Sequence, residues 1–395
     1  NLVEVEVFIS DGLPAFILLG LPDAALSESR ERVRSALVNS GFPWLNKKLT
    51  VSLSPAWLPK SGSAFDLAIA VAITGAQGEI EQGKVLHTVF LGELALDGSV
   101  RGVNGILPSV LSAKHSGVQR AIVPIENFAE ASIVEGIEIV PVLVFKDVLD
   151  FLNLGIKKNP ELSNVNAKNN FLDMGDIVGQ KIAKNLMEIS AIGAHNSLLI
   201  GPPGTGKTML AERLPTILPE LNSDEAIEVA AVHSISGANA KLEIISKVPP
   251  FVSPHHTATI ASIVGGGSTV IKPGAASLAH NGVLFIDEAP ECNRGVLDAL
   301  RQPLESGQIT ISRAVGNITF PARFQLILAA NPCPCGKYSG RGRSCICPQL
   351  SIRKYLQKIS GPLLDRIDIR ALVETPSRVE LASNNSSESS SVIRE

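Results

Sequence analysis

A glycine-rich turn at residues 201–208, Gly-Pro-Pro-Gly-Thr-Gly-Lys-Thr, carries the residue types that bind a chain of phosphates. Gly204 and Gly206 permit backbone conformations in which successive N–H groups point at phosphate oxygens. Lys207 adds a mobile positive charge for the terminal phosphates, and the Thr208 hydroxyl is a suitable ligand for Mg²⁺. Because the turn directly follows an apolar run, it predicts a nucleoside triphosphate site at a strand-to-helix junction. The predicted contacts are Gly201, Pro202, Pro203, Gly204, Thr205, Gly206, Lys207 and Thr208.

Two carboxylates, Asp287 and Glu288, follow the apolar run at residues 283–286. A strand that is buried on both faces would deliver them to the carboxyl edge of a parallel sheet, beside the phosphate loop. We expect Asp287 to hold Mg²⁺ and Glu288 to act as the general base for an attacking water. Asn331 follows another apolar run, at 324–329, where its amide either orients the same water or is an ordinary turn residue.

Four of the five cysteines are concentrated in one short segment as two C-x-C pairs: Cys333, Cys335, Cys345 and Cys347. Four thiolates from two short loops can form a tetrahedral Zn²⁺ site. The spacing is tighter than the usual C-x₂-C knuckle, so reduced thiols and a redox switch stay open as alternatives. We expect the fifth, Cys292, to be an ordinary cysteine near the core.

Basic residues lie between the two cysteine pairs, on a glycine-rich stretch that also contains an aromatic residue. They are Lys337, Arg341 and Arg343, with Tyr338 beside them. Such a loop either follows a nucleic-acid phosphate backbone or is simply a solvated charged loop. Just upstream, residues 308–320 predict a β-hairpin that turns at 315–317.

Length and composition limit the classes of protein to which the chain can belong. Its 395 residues suggest two or three domains at roughly 150 residues each. A hydrophobic content of 45% and a charged content of 18% exclude a disordered or collagen-like chain. The net charge of −3 argues against a protein that coats nucleic acid over its whole surface. No apolar run reaches the ~18 residues of a membrane span and no signal peptide is visible, so we expect no membrane partner and a cytoplasmic location.

Polar tracts divide the chain into segments with different patterns. Residues 157–170 are rich in Asn and predict a linker between two domains. Segment 1–156 has an α+β pattern, with strands predicted at 3–8, 49–56, 90–96 and 120–123 and helices at 27–40 and 65–73. Segment 171–375 has short, wholly apolar strands at 197–200, 283–286 and 324–329, each followed by a helix or loop. That pattern predicts an α/β domain with a parallel sheet.

Several of these motifs together resemble an AAA+ ATPase of the magnesium-chelatase-like group, with the best match to the ComM/YifB competence-protein family. The resemblance rests on residues 176–180 (Asp-Ile-Val-Gly-Gln), the phosphate loop, the acidic strand end, the strand before Asn331, and residues 360–368 (Ser-Gly-Pro-Leu-Leu-Asp-Arg-Ile-Asp). It covers nearly the whole chain and implies a P-loop AAA+ domain at 171–375. This family continues into a helical lid, so 376–395 is expected to be a flexible tail or the start of that lid.

The resemblance also implies roles for individual residues. Val178 and Gly179 would lie against the adenine, and Asn331 would sense the γ-phosphate. Arg366 would be an arginine finger that reaches the nucleotide of the neighbouring subunit, where its planar charged group suits transition-state oxygens. An arginine finger requires an oligomer, by this resemblance a hexameric ring. On the predicted hairpin, Arg313 would be a DNA contact.

Two residues of this resemblance have simpler alternative roles. Arg366 is flanked by Asp365 and Asp368, so an ion pair with either is the alternative to a finger. The hairpin that carries Arg313 is otherwise an ordinary structural hairpin.

The first segment resembles a Lon-protease-like domain. Ser63 lies near the position of that family's nucleophile, but the position of the expected lysine falls around Leu107. A serine without its base is a poor nucleophile, so we expect this domain to be non-catalytic.

The resemblance predicts an enzyme, an ATP-hydrolysing motor that uses ATP and Mg²⁺ and acts on DNA. Its expected role is that of a hexameric helicase or branch-migration factor in natural transformation and recombination. The alternative is a magnesium-chelatase-type motor subunit that remodels a metal-inserting partner.

Overall fold

The computed structural model describes residues 2–58, 60, 62–158, 172–237, 247–267, 271–313, 316–338, 345–376 and 388–395. The chain divides into two compact units, Asn1–Asn166 with Ser234–Asn239 and Ala167–His233 with Ala240–Glu395. Most of the predicted linker, as well as Arg341 and Arg343, lies outside the described residues. None of the helices in the described part of the chain combines the length and apolar composition needed to cross a bilayer.

The first unit combines two small sheets, a hairpin and helices. Its strands are β1 (Glu4–Ser10), β2 (Ala15–Leu19), β3 (Lys48–Ser54), β4 (Thr88–Phe90), β5 (Glu93–Leu94), β6 (Val100–Arg101), β7 (Arg120–Pro124) and β8 (Glu138–Val142). Its helices are α1 (Ala24–Ser27), α2 (Ser29–Asn39), α3 (Asp66–Ala76), α4 (Ile106–His115), α5 (Phe128–Ala131) and α6 (Phe145–Leu154), with short 3₁₀ turns at Gln82–Lys84 and Ile125–Asn127.

The core of the first unit follows from a two-residue alternation. β3 lies between β1, which runs antiparallel to it, and β2, which runs parallel. Leu49, Val51 and Leu53 are all buried, as the alternating sequence predicts. One strand predicted at 90–96 is instead two strands, because the chain switches at Gly92 from β4, which pairs with β7, to β5, which pairs with β6.

The second unit contains the apolar strands. Its strands are β9 (Ser197–Ile200), β10 (Phe251–Val252), β11 (Gly265–Gly266), β12 (Lys272–Pro273), β13 (Gly282–Ile286), β14 (Gln308–Arg313), β15 (Gly316–Pro321), β16 (Phe324–Ala330) and β17 (Ile369–Leu372). Its helices are α7 (Lys181–Gly193), α8 (Lys207–Arg213), α9 (Ser223–Ser236), α10 (Ile260–Val264), α11 (Ala275–Leu278), α12 (Arg294–Ala299), α13 (Arg301–Ser306), α14 (Gln349–Leu356), α15 (Gly361–Leu364) and α16 (Ser390–Arg394). The 3₁₀ turns are Met174–Asp176, Leu214–Thr216 and Ala289–Glu291.

Five of these strands form one parallel sheet in the order β10-β13-β16-β9-β17. Every residue of β13 is buried, and so are all residues of β16 after the first. A sheet covered on both faces explains why these strands are apolar throughout rather than alternating. The predicted parallel sheet of an α/β AAA+ domain is therefore confirmed.

Two further predictions change in detail. The hairpin exists as β14 and β15, but Gly316 pairs with Arg313 and Asn317 with Ser312, so these two predicted turn residues belong to β15. The third, Val315, lies outside the described residues. Of the expected tail at 376–395, residues 377–387 lie outside the described residues and Ser390–Arg394 form α16. The Ser390 hydroxyl accepts a hydrogen bond from Met174 N at 2.7 Å, Ser390 N donates one to Asp173, and Arg394 donates to Thr216 O at 2.8 Å.

Candidate nucleotide site

The order of the strands brings the three predicted polar segments to one edge of the sheet. β16 lies between β9 and β13, and all three run in the same direction. Their carboxyl ends therefore meet, and the residues that follow them are the phosphate loop, Asn331 and Asp287 with Glu288. This is the edge at which parallel sheets bind their ligands.

The phosphate loop leaves β9 in a tightly defined conformation. Gly201 N donates to Ala330 O at 3.2 Å, and a Cβ at Gly201 would lie 2.2 Å from the carbonyl oxygen of Val373. Gly204 and Gly206 have φ angles of 77° and 89°, in the left-handed region that favours glycine. Close packing therefore requires glycine at position 201, and the backbone conformation favours glycine at positions 204 and 206.

Lys207, the first residue of α8, points into the loop rather than into solvent. Its Nζ donates to Gly201 O at 2.8 Å, to Pro202 O at 3.0 Å and to Asn331 Oδ1 at 3.4 Å. Burial lowers the pKa of this ammonium, and the nearby carboxylates Asp287 and Glu288 partly offset that effect. The charge is therefore held between the phosphate loop and the end of β16.

Thr208 and Asp287 supply the oxygens that suit Mg²⁺. Thr208 Oγ1 donates to Asp287 Oδ2 at 3.0 Å, although the two residues are far apart in sequence. A hydroxyl and a carboxylate oxygen beside a phosphate loop form the donor set that binds Mg²⁺ together with phosphate oxygens. The residues present therefore fit this ion.

Glu288, the residue after Asp287, has a left-handed backbone with φ at 48°. Its N–H donates to Asp287 Oδ1 at 2.8 Å, and its Oε2 lies 3.5 Å from His256 Nδ1. No residue spacing in the sequence indicates a histidine beside Glu288. The parallel pairing of β10 with β13 brings the loop after β10 to this position.

The segment before α7 reaches the phosphate loop through a residue that we did not single out. Gln180 Nε2 donates to Thr205 O at 3.0 Å and also to Glu374 O. The two predicted adenine contacts precede it: Val178 is 41% exposed, and Gly179 has a φ of 66°. The signal for Gln180 was its place at the end of the 176–180 motif.

The structure does not bring Arg366 to the phosphate loop of its own chain. Its guanidinium pairs with Glu305 of α13 and donates to Pro362 O at 2.6 Å. The expected alternative partners, Asp365 and Asp368, are not the ones that it contacts in the described part of the chain. Asp368 instead accepts a hydrogen bond from Asn196 N at 3.0 Å.

The four clustered cysteines come together in space. Within the described residues, Cys333, Cys335, Cys345 and Cys347 are the group whose side-chain chemistry and spacing suit a metal ion, with all four sulfurs within 4.8 Å of one another. The backbone N–H of Lys337 lowers the pKa of the Cys335 thiol to about 6. In contrast, burial and the nearby Glu288, Glu291 and Asp287 raise the pKa of Cys292 to about 11.

The predicted DNA contacts are described only in part. Lys337 is exposed on the cysteine loop, and Arg313 is the last residue of β14, with a side chain outside the described part.

In the first unit, the Ser63 hydroxyl donates to Glu93, and Leu107 is fully buried in α4. Lys60, which precedes Ser63 in the chain, donates its Nζ hydrogens to the carbonyl oxygens of Leu53 and Pro55.

Two family models match the chain. The model described as magnesium chelatase, subunit ChlI, matches residues 173–381, and the model described as subunit ChlI of Mg-chelatase matches residues 5–127.

Three curated relatives show how far the similarity extends. The competence protein ComM of Haemophilus influenzae is 48% identical over 383 residues, covering 95% of this chain and 74% of that protein. The uncharacterized protein YifB of Escherichia coli is 44% identical over 375 residues, covering 95% of this chain and 73% of that protein. The magnesium-chelatase 38 kDa subunit of Rhodobacter capsulatus is 29% identical over 171 residues, covering 40% of this chain and 49% of that protein. With its parallel sheet and phosphate loop, the chain belongs to the magnesium-chelatase-like family of AAA+ ATPases that includes ComM and YifB.

Proposed function

We propose that this chain is an ATP-hydrolysing motor that moves DNA as a hexameric ring, as a helicase or branch-migration factor in natural transformation and recombination. The observation that carries the ATPase is the contact of Thr208 with Asp287 at 3.0 Å, beside the buried Lys207. A relative that is 48% identical across 95% of the chain is named a competence protein, which supports a role in transformation.

In this proposal the residues of the chain divide the work of hydrolysis. The backbone N–H groups of Gly204, Thr205 and Gly206 and the Lys207 ammonium hold the β- and γ-phosphates. Thr208 and Asp287 would hold Mg²⁺, which when bound would supply positive charge beside the phosphate oxygens. A carboxylate oxygen of Glu288 takes a proton from water while the water oxygen bonds to the γ-phosphorus. The bond from that phosphorus to the β–γ bridging oxygen breaks, and ADP and inorganic phosphate leave.

Asn331 and Arg366 complete the proposed site from two directions. Asn331 Oδ1 accepts from Lys207, so its amide N–H₂ can donate to a γ-phosphate oxygen. Arg366 acts on the nucleotide of the adjoining protomer once it leaves Glu305. Because this ion pair is partly exposed, it is worth about 1 kcal/mol or less, and the exchange costs little.

The proposed DNA contacts are the basic residues of two loops, Arg313 on the hairpin and Lys337, Arg341 and Arg343 between the cysteine pairs. With a net charge of −3, DNA binding has to be local rather than spread over the surface. Replacing one phosphate-contacting cation with alanine should lower the salt dependence of log K by about 1.

The deciding experiment measures ATP hydrolysis and strand separation on forked and on duplex DNA of the same sequence. We expect DNA to stimulate hydrolysis and the forked substrate to be separated only with ATP present. Lys207→Ala is the matched control, because it removes the phosphate-binding charge and should abolish both activities. If neither DNA stimulates hydrolysis and the forked substrate stays intact, the proposal of a motor that acts on DNA is contradicted. The proposed ATPase activity would not be contradicted by that result.

A second candidate is the motor subunit of a metal-inserting enzyme. It is favoured by the 29% identity to a magnesium-chelatase subunit over 40% of the chain. The same hydrolysis would then remodel a partner that inserts Mg²⁺ into a porphyrin. Stimulation of hydrolysis by such a partner, and none by DNA, would favour this candidate.

A further inference from the structure

The four clustered sulfurs have the spacing of a site for a single ion. Cys333 Sγ lies 3.3 Å from Cys335 Sγ and 3.6 Å from Cys345 Sγ, and the last two sulfurs are also 3.6 Å apart. Four thiolates at about 2.3 Å from a tetrahedral Zn²⁺ lie about 3.8 Å from one another. A disulfide needs about 2.05 Å, so these contacts are not disulfides.

The kind of donor and the size of the cage favour some ions over others. Thiolates are soft ligands, which favours Zn²⁺ over Mg²⁺ or Ca²⁺. An iron–sulfur cluster places several irons and sulfides between its cysteines, so it needs a wider cage than one in which all sulfurs lie within 4.8 Å. A closed set of four protein ligands is typical of a structural rather than a catalytic zinc.

The cysteine cluster is directly connected to the candidate nucleotide site. Cys333 is buried and follows Asn331 by two residues, at the end of β16. Gly336, with a φ of 73°, lies so close to the phosphate loop that an added Cβ would be 2.7 Å from Pro203 Cδ. Gly336, which directly follows the first cysteine pair, therefore packs on the loop that is proposed to hold phosphate.

The second cysteine pair leads into a well-packed part of the same unit. Cys347 precedes α14, in which Ile352 and Tyr355 are buried. An ion that joins the two pairs would therefore connect the end of β16 to the start of α14. Within the described residues, the two pairs also contact each other directly, through the sulfurs of Cys335 and Cys345 at 3.6 Å.

We propose that Cys333, Cys335, Cys345 and Cys347 bind one Zn²⁺, and that this ion holds the Asn331–Gly336 segment against the phosphate loop. Every thiol that is still protonated gives up its proton to solvent when the ion binds, and no oxidant or reductant is involved. The cysteines are thus positioning residues, and this second part of the proposal rests on the proposed ATPase.

The metal is tested without any nucleotide. Elemental analysis of the purified full chain should give about one zinc per chain, and Cys333→Ser/Cys345→Ser should reduce this to background. Cys292→Ala is the matched control, because it removes the cysteine outside the cluster and should keep the zinc. After removal of the metal, added Co²⁺ should give the charge-transfer and d–d bands of a tetrahedral thiolate site.

Several results would overturn the zinc site. In elemental analysis, these results are a reduced and folded chain without metal, or iron in place of zinc. A disulfide within the cluster of the purified protein, or wild-type protein that shows no thiolate–Co²⁺ spectrum, would also overturn it. The cobalt measurement uses the wild-type chain, so it decides the question even if the serine variants fail to fold.

The positioning role is tested by separating kcat from KM for ATP. Cys335→Ser/Cys347→Ser keeps the buried Cys333, and we expect kcat to fall about tenfold or more while KM changes little, because Asn331 is misplaced. Retained kcat in a zinc-free variant would overturn the positioning role. A wild-type chain that binds zinc but hydrolyses no ATP would contradict the proposed function and leave the zinc site intact.

Discussion

Asp287 and Glu288 are neighbours in sequence but have different surroundings. Asp287 accepts a hydrogen bond from the Thr208 hydroxyl, whereas Glu288, whose backbone is left-handed, lies beside His256. If Glu288 is the general base, Glu288→Gln should bind ATP as tightly as wild type and hydrolyse it roughly 10²-fold more slowly or worse. Nucleotide affinity and single-turnover rates measure the two effects separately.

The matched control for this prediction is Lys207→Ala. That change removes the ammonium expected to contact phosphates, so it should weaken ATP binding as well as hydrolysis. An unaltered hydrolysis rate in Glu288→Gln would show that another group takes the proton.

Cys292 should be nearly inert toward thiol reagents in the folded chain. It is buried, and the same burial, with Glu288, Glu291 and Asp287 nearby, raises its pKa to about 11. Alkylation requires the thiolate, so below pH 9 the reaction should be slow and should accelerate as the pH rises toward 11. Mass spectrometry of iodoacetamide-treated protein checks this prediction; labelling at pH 7 as fast as in denatured protein would contradict it.

The segment that follows β16 packs on the phosphate loop, and Gly336 makes one of the contacts between them. Gly336→Ala should be costly for two reasons, a left-handed φ of 73° and a Cβ placed 2.7 Å from Pro203. We expect a loss of stability larger than the about 1–2 kcal/mol of the backbone conformation alone. Affinity for a non-hydrolysable ATP analogue should fall as well.

Gly155→Ala provides the control for the backbone contribution. Gly155 has a φ of 72° and no atom within 4 Å of an added Cβ, so it isolates the conformational cost. Chemical denaturation compares the two variants. Equal losses of stability, with unchanged nucleotide affinity in both, would show that the contact of Gly336 with Pro203 is unimportant.

At the scale of the whole molecule, Arg366 decides whether the active unit is a single chain or an assembly. Within its own chain it pairs with Glu305. If it serves a neighbour, Arg366→Ala should retain ATP binding and lose hydrolysis. Mixing Arg366→Ala with Lys207→Ala should then restore part of the activity, because an intact phosphate loop meets an intact arginine at some interfaces.

Subunit mixing has a simple control in each variant alone, since neither should hydrolyse ATP. Light scattering in the presence of the ATP analogue gives the size of the assembly. A mixture as inactive as its components, in a ring that does exchange subunits, would assign Arg366 to the ion pair with Glu305.

Local sequence was sufficient to predict the elements whose residue types are fixed by backbone conformation or by burial. The phosphate loop needs glycines at left-handed positions, and strands covered on both faces must be apolar, so the 197–200, 283–286 and 324–329 segments were predictable as strands of a parallel sheet. The split of the 90–96 strand was not predictable, because it depends on which partner each half finds. The same holds for the ordered helix α16, whose hydrogen bonds are made to residues at the other end of the domain.

Sequence alone determined which side chains could do chemistry in this protein: Lys207, Thr208, Asp287, Glu288 and the four cysteines were all chosen by type and spacing. Tertiary structure decided which residues contact one another when they are far apart in the sequence. Four contacts join segments that are distant in sequence and that the folded domain brings together. They are the hydrogen bond from Gln180 to Thr205, the pairs His256–Glu288 and Glu305–Arg366, and the packing of Gly336 on Pro203. Hydrogen bonds and ion pairs act over a few ångströms, so the order of the strands in the sheet, rather than the distance along the chain, selects these pairs.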